Sequence, residues 1–298
     1  MADRQIIVLD APSNLGLRPP ETGVAPGCYK LPWALRDRKL LPALGAADAG
    51  AVVPPRYRPE WQAGDGDRNA EAIARYSLAL ADRVQPLLDP GTFALVLGGD
   101  CSILIGNTLA LKRRGRFGLV FIDGHSDFRH PQNAPAIGAA AGEDLAIVTG
   151  RGDSRLVDLE QRGPYVQPAD ICAVGMRPSD VYLSEVQELG IQVITSVEVV
   201  DQGPEAVAAQ ALERVTAATE GFWIHLDADV VDQAEMPAVD SPEPDGVPFR
   251  VLAPLLKRLA ASPHCAGMEV TIYDPDLDPS GACADRLLRC LVEALGRG

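Results

Sequence analysis

Residues Phe117–Asp127 read Phe-Gly-Leu-Val-Phe-Ile-Asp-Gly-His-Ser-Asp: a short apolar run that ends abruptly in two acids and an imidazole. A strand with one wet face alternates apolar and polar residues. A run that is apolar almost throughout needs cover on both faces, as in a parallel sheet layered between helices. The same type of run recurs along the chain, at Gln5–Leu9, Phe93–Leu97, Asp170–Val174, Gln192–Thr195, Phe222–Leu226 and Gly267–Thr271, beside Gly118–Ile122 within the quoted stretch. Between these runs the patterning predicts helices near Arg68–Leu88, Ile103–Arg114, Ser179–Leu189, Pro204–Thr219, Phe249–Ala261 and Asp285–Leu295. Strands alternating with helices from end to end predict an α/β fold whose central, mostly parallel sheet is covered on both faces. With 298 residues and no internal repeat or linker, one domain over residues 1–298 is expected. The segment Met236–Pro248, rich in Pro and acids, reads as a long loop after a strand.

Composition narrows the class of function. A net charge of −14, from 27 basic and 41 acidic residues, opposes binding to phosphate backbones, so no nucleic-acid partner is expected. No apolar run approaches the roughly 18 residues that span a bilayer, and Met1–Leu9 lacks the features of a signal peptide, so a cytoplasmic location is expected. The six cysteines are scattered without a Cys-x-x-Cys pair, which predicts free thiols.

Chemistry concentrates where three apolar runs end: Gly98-Gly99-Asp100-Cys101-Ser102, Asp123-Gly124-His125-Ser126-Asp127 and His225-Leu226-Asp227-Ala228-Asp229. In an open α/β sheet the carboxyl ends of the strands form the ligand crevice, so these segments can meet although distant in sequence. Extended backbone would send Asp123, His125 and Asp127 to one side, and His225, Asp227 and Asp229 likewise. Four clustered carboxylates in a low-dielectric crevice must either protonate or find cations. Carboxylates with one or two imidazoles suit manganese, magnesium or a borderline ion, and a pair of such ions turns water into a nucleophile at neutral pH. Metal-assisted hydrolysis is the reaction expected.

In this order the motifs Gly-Gly-Asp-x-Ser, Asp-x-His-x-Asp and Asp-x-Asp resemble the metal-binding segments of the arginase, agmatinase and formimidoylglutamase family, over about Val96 to Val270. The resemblance implies a three-layer αβα fold, two Mn2+ ions and a homo-oligomer, trimeric or hexameric. It implies an amidinohydrolase, in which metal-bound hydroxide cleaves a guanidino or amidino C–N bond of a small molecule. Asp123, His125, Asp127, Asp227 and Asp229 would ligate the metals, Asp127 would also handle protons, and Glu269 in Met268-Glu269-Val270 would hold the substrate cation.

The chain departs from the family at identifiable positions. Cys101 stands where the first motif carries His, placing a softer donor at a metal position. His225, two residues before Asp227, could supply the missing imidazole or relay a proton. Arg129 replaces an Asn that in arginases touches the α-carboxylate end, and its fork suits a carboxylate-bearing guanidino substrate. The family's proton-transferring His has no counterpart in Ala140-Ala141-Gly142-Glu143, which leaves Asp180, Glu143 and Ser241 as candidates for specificity. Three alternatives accompany this reading. The same pocket could hydrolyse formimino or N-hydroxyguanidino groups, Cys101 activated by His125 could act as a nucleophile, or the chain could be a non-catalytic binding relative.

Overall fold

A computed structural model describes residues 4–296; residues 1–3 and 297–298, included in the single-domain expectation, lie outside the described residues. Eight strands alternate with helices: β1 (Gln5–Ala11), β2 (Ala47–Ala51), β3 (Thr92–Gly98), β4 (Phe117–Ile122), β5 (Ile171–Val174), β6 (Gln192–Ile194), β7 (Gly221–Asp227) and β8 (Cys265–Thr271). The α-helices are α1 (Leu31–Asp37), α2 (Leu40–Leu44), α3 (Ala70–Val84), α4 (Ile103–Lys112), α5 (Asp144–Val148), α6 (Leu183–Glu188), α7 (Ser196–Gln202), α8 (Pro204–Thr216), α9 (Phe249–Ala261) and α10 (Ala282–Leu295).

The strands form one sheet in the order β2-β1-β3-β8-β7-β4-β5-β6, and every pairing is parallel. Alternate residues of each central strand feed two separate cores. Phe93, Leu95 and Leu97 of β3 pack with buried residues of α1, α2, α8, α9 and α10, whereas Ala94 and Val96 pack with those of α3, α4, α5 and α6. The result is the three-layer αβα architecture expected, because strands apolar at nearly every position can be buried only between two helical layers.

The strand order assembles the site. β7 and β8, late in the chain, insert between β3 and β4, so the carboxyl ends of β3, β8, β7 and β4 lie side by side at the middle of the sheet. All three polar segments singled out in the sequence leave from these four adjacent tips.

Strand β2 was not anticipated. Its Ala-Asp-Ala-Gly-Ala sequence carries little apolar bulk and lies largely exposed at the sheet edge, held by backbone pairing to β1. The short helices α1, α2, α5 and α7 were not anticipated either; α5 and α7 follow loops or strand ends within a turn or two, where an apolar period has no room to develop. At α7 a local signal existed: Thr195 caps the helix, its hydroxyl accepting from Glu198 N while the Glu198 side chain accepts from Thr195 N at 2.7 Å. Thr195→Ala should therefore cost about 1 kcal/mol of stability with catalysis unchanged, as measured by urea unfolding alongside activity.

Candidate metal centre

Glycine permits the first tip to form. A Cβ on Gly99 would overlap the Ser13 carbonyl oxygen, so only glycine lets β3 run this close to the loop after β1. Asp100 then turns toward that loop, accepting from Ser13 Oγ at 2.8 Å and from Ser102 N at 2.9 Å. Cys101 turns inward instead. Its Sγ donates to Asp227 Oδ2 at 2.9 Å and lies 3.1 Å from Thr271 Oγ1, fully buried.

The second and third tips converge by tight turns, not by the extended alternation expected. Asp123 follows the last residue of β4, and its Oδ1 accepts from His125 N at 2.7 Å. Asp127 sits at φ 41, a left-handed conformation uncommon for a non-glycine residue, which bends the chain back over the site. Asp227 ends β7, and its Oδ1 accepts from Asp229 N at 2.7 Å. The third motif then closes on the second, with His125 Nδ1 2.9 Å from Asp229 Oδ2.

Among the described residues four overlapping groups of donors result, each with its ligand atoms within 4.8 Å of one another: Asp123-His125-Asp229, Asp123-Asp127-Asp227, Cys101-His225-Asp227 and Cys101-Asp127-Asp144. Such crowding distorts protonation. Burial raises the carboxyls of Asp123 and Asp227 well above the ordinary range, with neighbouring aspartates adding to the shift. Burial also pushes Asp127 up to about 7, against the pull of Arg129 and His125. For His125, burial disfavours the charged ring, yet the carboxylate of Asp229 outweighs it and draws the imidazole up to about 10. Asp229 resists its own burial because His125 and Arg177 favour its charge, and its carboxyl stays below the usual value. The protein thus holds protons where divalent cations would otherwise supply the positive charge.

Buried polar atoms without partners point the same way. Asp123 Oδ2, His225 Nε2 and both carboxylate oxygens of Asp144 are inaccessible and make no hydrogen bond. Orphaned groups of this kind each cost on the order of 1–3 kcal/mol, which a cation among them would offset. Carboxylate oxygens, imidazole nitrogens and one thiol match the donors that hold divalent first-row metals, so the residues present fit such ions.

Glu269 departs from its expected place. It lies on β8 directly beside His225 of β7, fully buried, with Oε1 2.6 Å from His225 Nδ1, while Oε2 accepts from Asn107 of α4. Glu269 does not line the cavity that opens over the cluster, a space of about 340 Å³. Its carboxylate orients an imidazole and has no access to a substrate cation. The misplacement arises because an acid within a buried strand end gives no sign, from sequence alone, of which face it occupies.

Arg129, Asp180 and Ser241 do line that cavity, as do Arg177 and Glu243. Arg129 Nε donates to Gly142 O at 3.1 Å. Asp180 is committed to the protein, accepting from Ser126 N and Ser126 Oγ at 2.8 Å each and from Tyr182 N at 2.8 Å. Glu143 is buried away from the cavity, its Oε1 accepting from Ala139 N at 3.1 Å. The thiol–imidazole pair of the cysteine-nucleophile alternative does not form: Cys101 engages Asp227 and Thr271, His125 engages Asp229, and burial raises the thiol far from ionisation.

Asp144 and Asn107 escaped the sequence reading. Asp144 opens α5 just before Leu145-Ala146-Ile147-Val148, where an acid is ordinarily a solvated partner of the helix dipole. An acid directly ahead of an entirely buried helix was the available signal.

Among the described residues no helix is long and apolar enough to cross a membrane. The sequence model described as the Arginase family matches residues 20–296. The arginase of Bacillus subtilis (strain 168) is 28% identical, over 99% of either chain, and that of Bacillus caldovelox is 30% identical, over 71% of either chain. The solved structure of the Bacillus caldovelox arginase superposes with a TM-score of 0.88 at 25% identity, covering 99% of each chain.

Proposed function

The chain belongs to the arginase family, and on that premise we propose that it cleaves the C–N bond of a guanidino or amidino compound that also carries a carboxylate. It is a hydrolase of non-peptide C–N bonds in linear amidines. One observation carries the finer reading: an acidic floor of Asp127, Asp227 and Asp229 and the guanidinium of Arg129 line the same cavity. A substrate cationic at one end and anionic at the other matches both walls.

Asp123, His125, Asp127, Asp227, Asp229 and Cys101 are the residues that would hold the cations, manganese being the ion the family resemblance implies. Divalent ions held there supply Lewis acidity and bring the pKa of water to about 7. Asp127 faces the cavity, where its carboxylate can take a proton from attacking water and return it to the leaving nitrogen. His225 acts from below with its ring fixed by Glu269, and Asp180 holds the Ser126 turn in place. Arg129 binds the substrate carboxylate, with Ser241 exposed at the cavity beside Asp240.

The test is turnover by the metal-loaded protein across guanidino acids, guanidino amines and formimino compounds, followed by release of urea, substituted urea or formamide. Guanidino acids should be preferred. Arg129→Ala should raise KM for them roughly 10- to 100-fold, the loss of one charge-assisted contact of about 1.5–3 kcal/mol, while leaving guanidino amines unaffected. Equal KM changes for both classes would remove Arg129 from substrate recognition.

A further inference from the structure

We propose that His225 and Asp144 complete, with Cys101, a sulfur-, nitrogen- and oxygen-ligated cation position, so that the centre is built for two unlike metals: a borderline ion such as zinc at Cys101 and a harder ion such as manganese at His125. This rests on the reading that cations occupy the cluster, and adds which ion each half selects.

The geometry comes from donors that nothing else in the protein satisfies. His225 Nε2 lies 3.9 Å from Asp144 Oδ2 and 3.9 Å from Asp123 Oδ2, too far for a hydrogen bond, and these atoms are buried and unpartnered. Two donors each about 2.0–2.2 Å from one cation sit ~3.3–3.6 Å apart at a tetrahedral angle, so these donors need to close by only a few tenths of an ångström to share an ion. Cys101 Sγ closes the set, since it lies within 4.8 Å of a His225 nitrogen and an Asp227 oxygen, and likewise of Asp127 and Asp144 oxygens.

The imidazole is held ready for that task. Its Nδ1 faces Glu269 Oε1 at 2.6 Å, so the proton belongs on Nδ1 and the lone pair of Nε2 points into the cluster. Phe121 stacks on the ring at 4.7 Å between centroids and 11° between planes, and Asn107 fixes the second oxygen of Glu269. A buried carboxylate behind an imidazole whose other nitrogen faces open donors is the arrangement that orients metal-ligating histidines.

The two halves differ in softness. Around His125 the partners are the carboxylates of Asp123 and Asp229, a hard set suited to manganese. Around Cys101 the thiol groups with His225 and Asp227 on one side and with Asp127 and Asp144 on the other, and sulfur beside an imidazole favours zinc, iron(II) or cobalt. Occupancy there releases the Cys101 proton to solvent as the metal–sulfur bond forms.

Metal-stripped protein dialysed against equimolar zinc and manganese, then analysed for bound metal, tests the assignment. The wild type should retain both ions. His225→Gln and Asp144→Asn should each bind zinc at least ~10-fold more weakly while manganese stays bound, which also shows that the variant is folded. With cobalt(II) replacing zinc, the wild type should show a near-ultraviolet thiolate-to-metal absorption that disappears in Cys101→Ser. Zinc retention unchanged in both His225→Gln and Asp144→Asn, or cobalt bound without that absorption, overturns the proposal while leaving a cation centre intact. A wild type that binds no metal overturns the underlying reading as well.

Discussion

Asp227→Asn is expected to lower turnover more than the ~10²-fold typical of losing a residue that only supports a ligand, while raising the melting temperature of the metal-free protein. The substitution keeps the side-chain shape, and its carbonyl can still accept from Asp229 N, as Asp227 Oδ1 does at 2.7 Å. What it removes is one negative charge from a cluster in which Asp227 takes part in two of the four donor groups. In the metal-free chain that charge is suppressed: burial and neighbouring Asp229 oppose it, so the folded state must hold a proton there, a demand that an amide lacks. With cations present the same charge is needed, because it attracts and orients them. Melting curves with and without chelator, run beside activity assays, check both halves. A variant that loses activity yet is less stable in both states would show that Asp227 serves packing instead of cation binding.

The second large effect is a reversal in how stability depends on pH. The folded-state carboxyl of Asp127 titrates near 7 against an ordinary value of 3.8, so the folded chain binds this proton more tightly than the unfolded chain does. Its contribution is therefore complete below about 3.8 and lost as pH rises toward 7, a change of roughly 4 kcal/mol at 1.36 kcal/mol per unit. His125 acts in the same direction at higher pH: with its folded value near 10 against 6.5, its stabilisation is present below 6.5 and lost as pH rises through 10. Asp229 opposes them at the acid end, since its lowered carboxyl contributes above 3.8 and loses that contribution as pH falls. Metal-free protein should thus be more stable at pH 5 than at pH 8. Metal-loaded protein should show the opposite order, because protons displace the cations and the gain RT ln(1 + [M]/Kd) shrinks in acid. Urea unfolding at the two pH values, with chelator or with manganese, reads the crossing directly; parallel pH curves would contradict it.

Much of this architecture could be read from the chain. Val-Phe-Ile followed by Asp123, and Trp-Ile-His-Leu followed by Asp227, mark strands buried on both faces that end at chemistry, and the structure has both where the pattern put them. The order in space could not be read, since nothing in β7 or β8 states that they insert between β3 and β4; that choice rests on the packing of whole helical layers. β2 was hidden because an edge strand can be held by backbone bonds alone. Asp144 was hidden because its role exists only after α5 packs on α4 and brings its carboxylate to 3.9 Å from His225 Nε2, and Glu269 was misassigned because its partners, Asn107 and His225, come from distant segments. Spacing thus announced the donors carried by one loop. Those contributed from the layer beneath emerged only in three dimensions.

Anomalous diffraction from crystals soaked in manganese addresses the central claim most directly. Two peaks roughly 3.5–4 Å apart, among the side chains of Asp123, Asp127 and Asp227, are expected where cations let the buried acids coexist. Density free of anomalous signal, with those acids paired through shared protons, would contradict it.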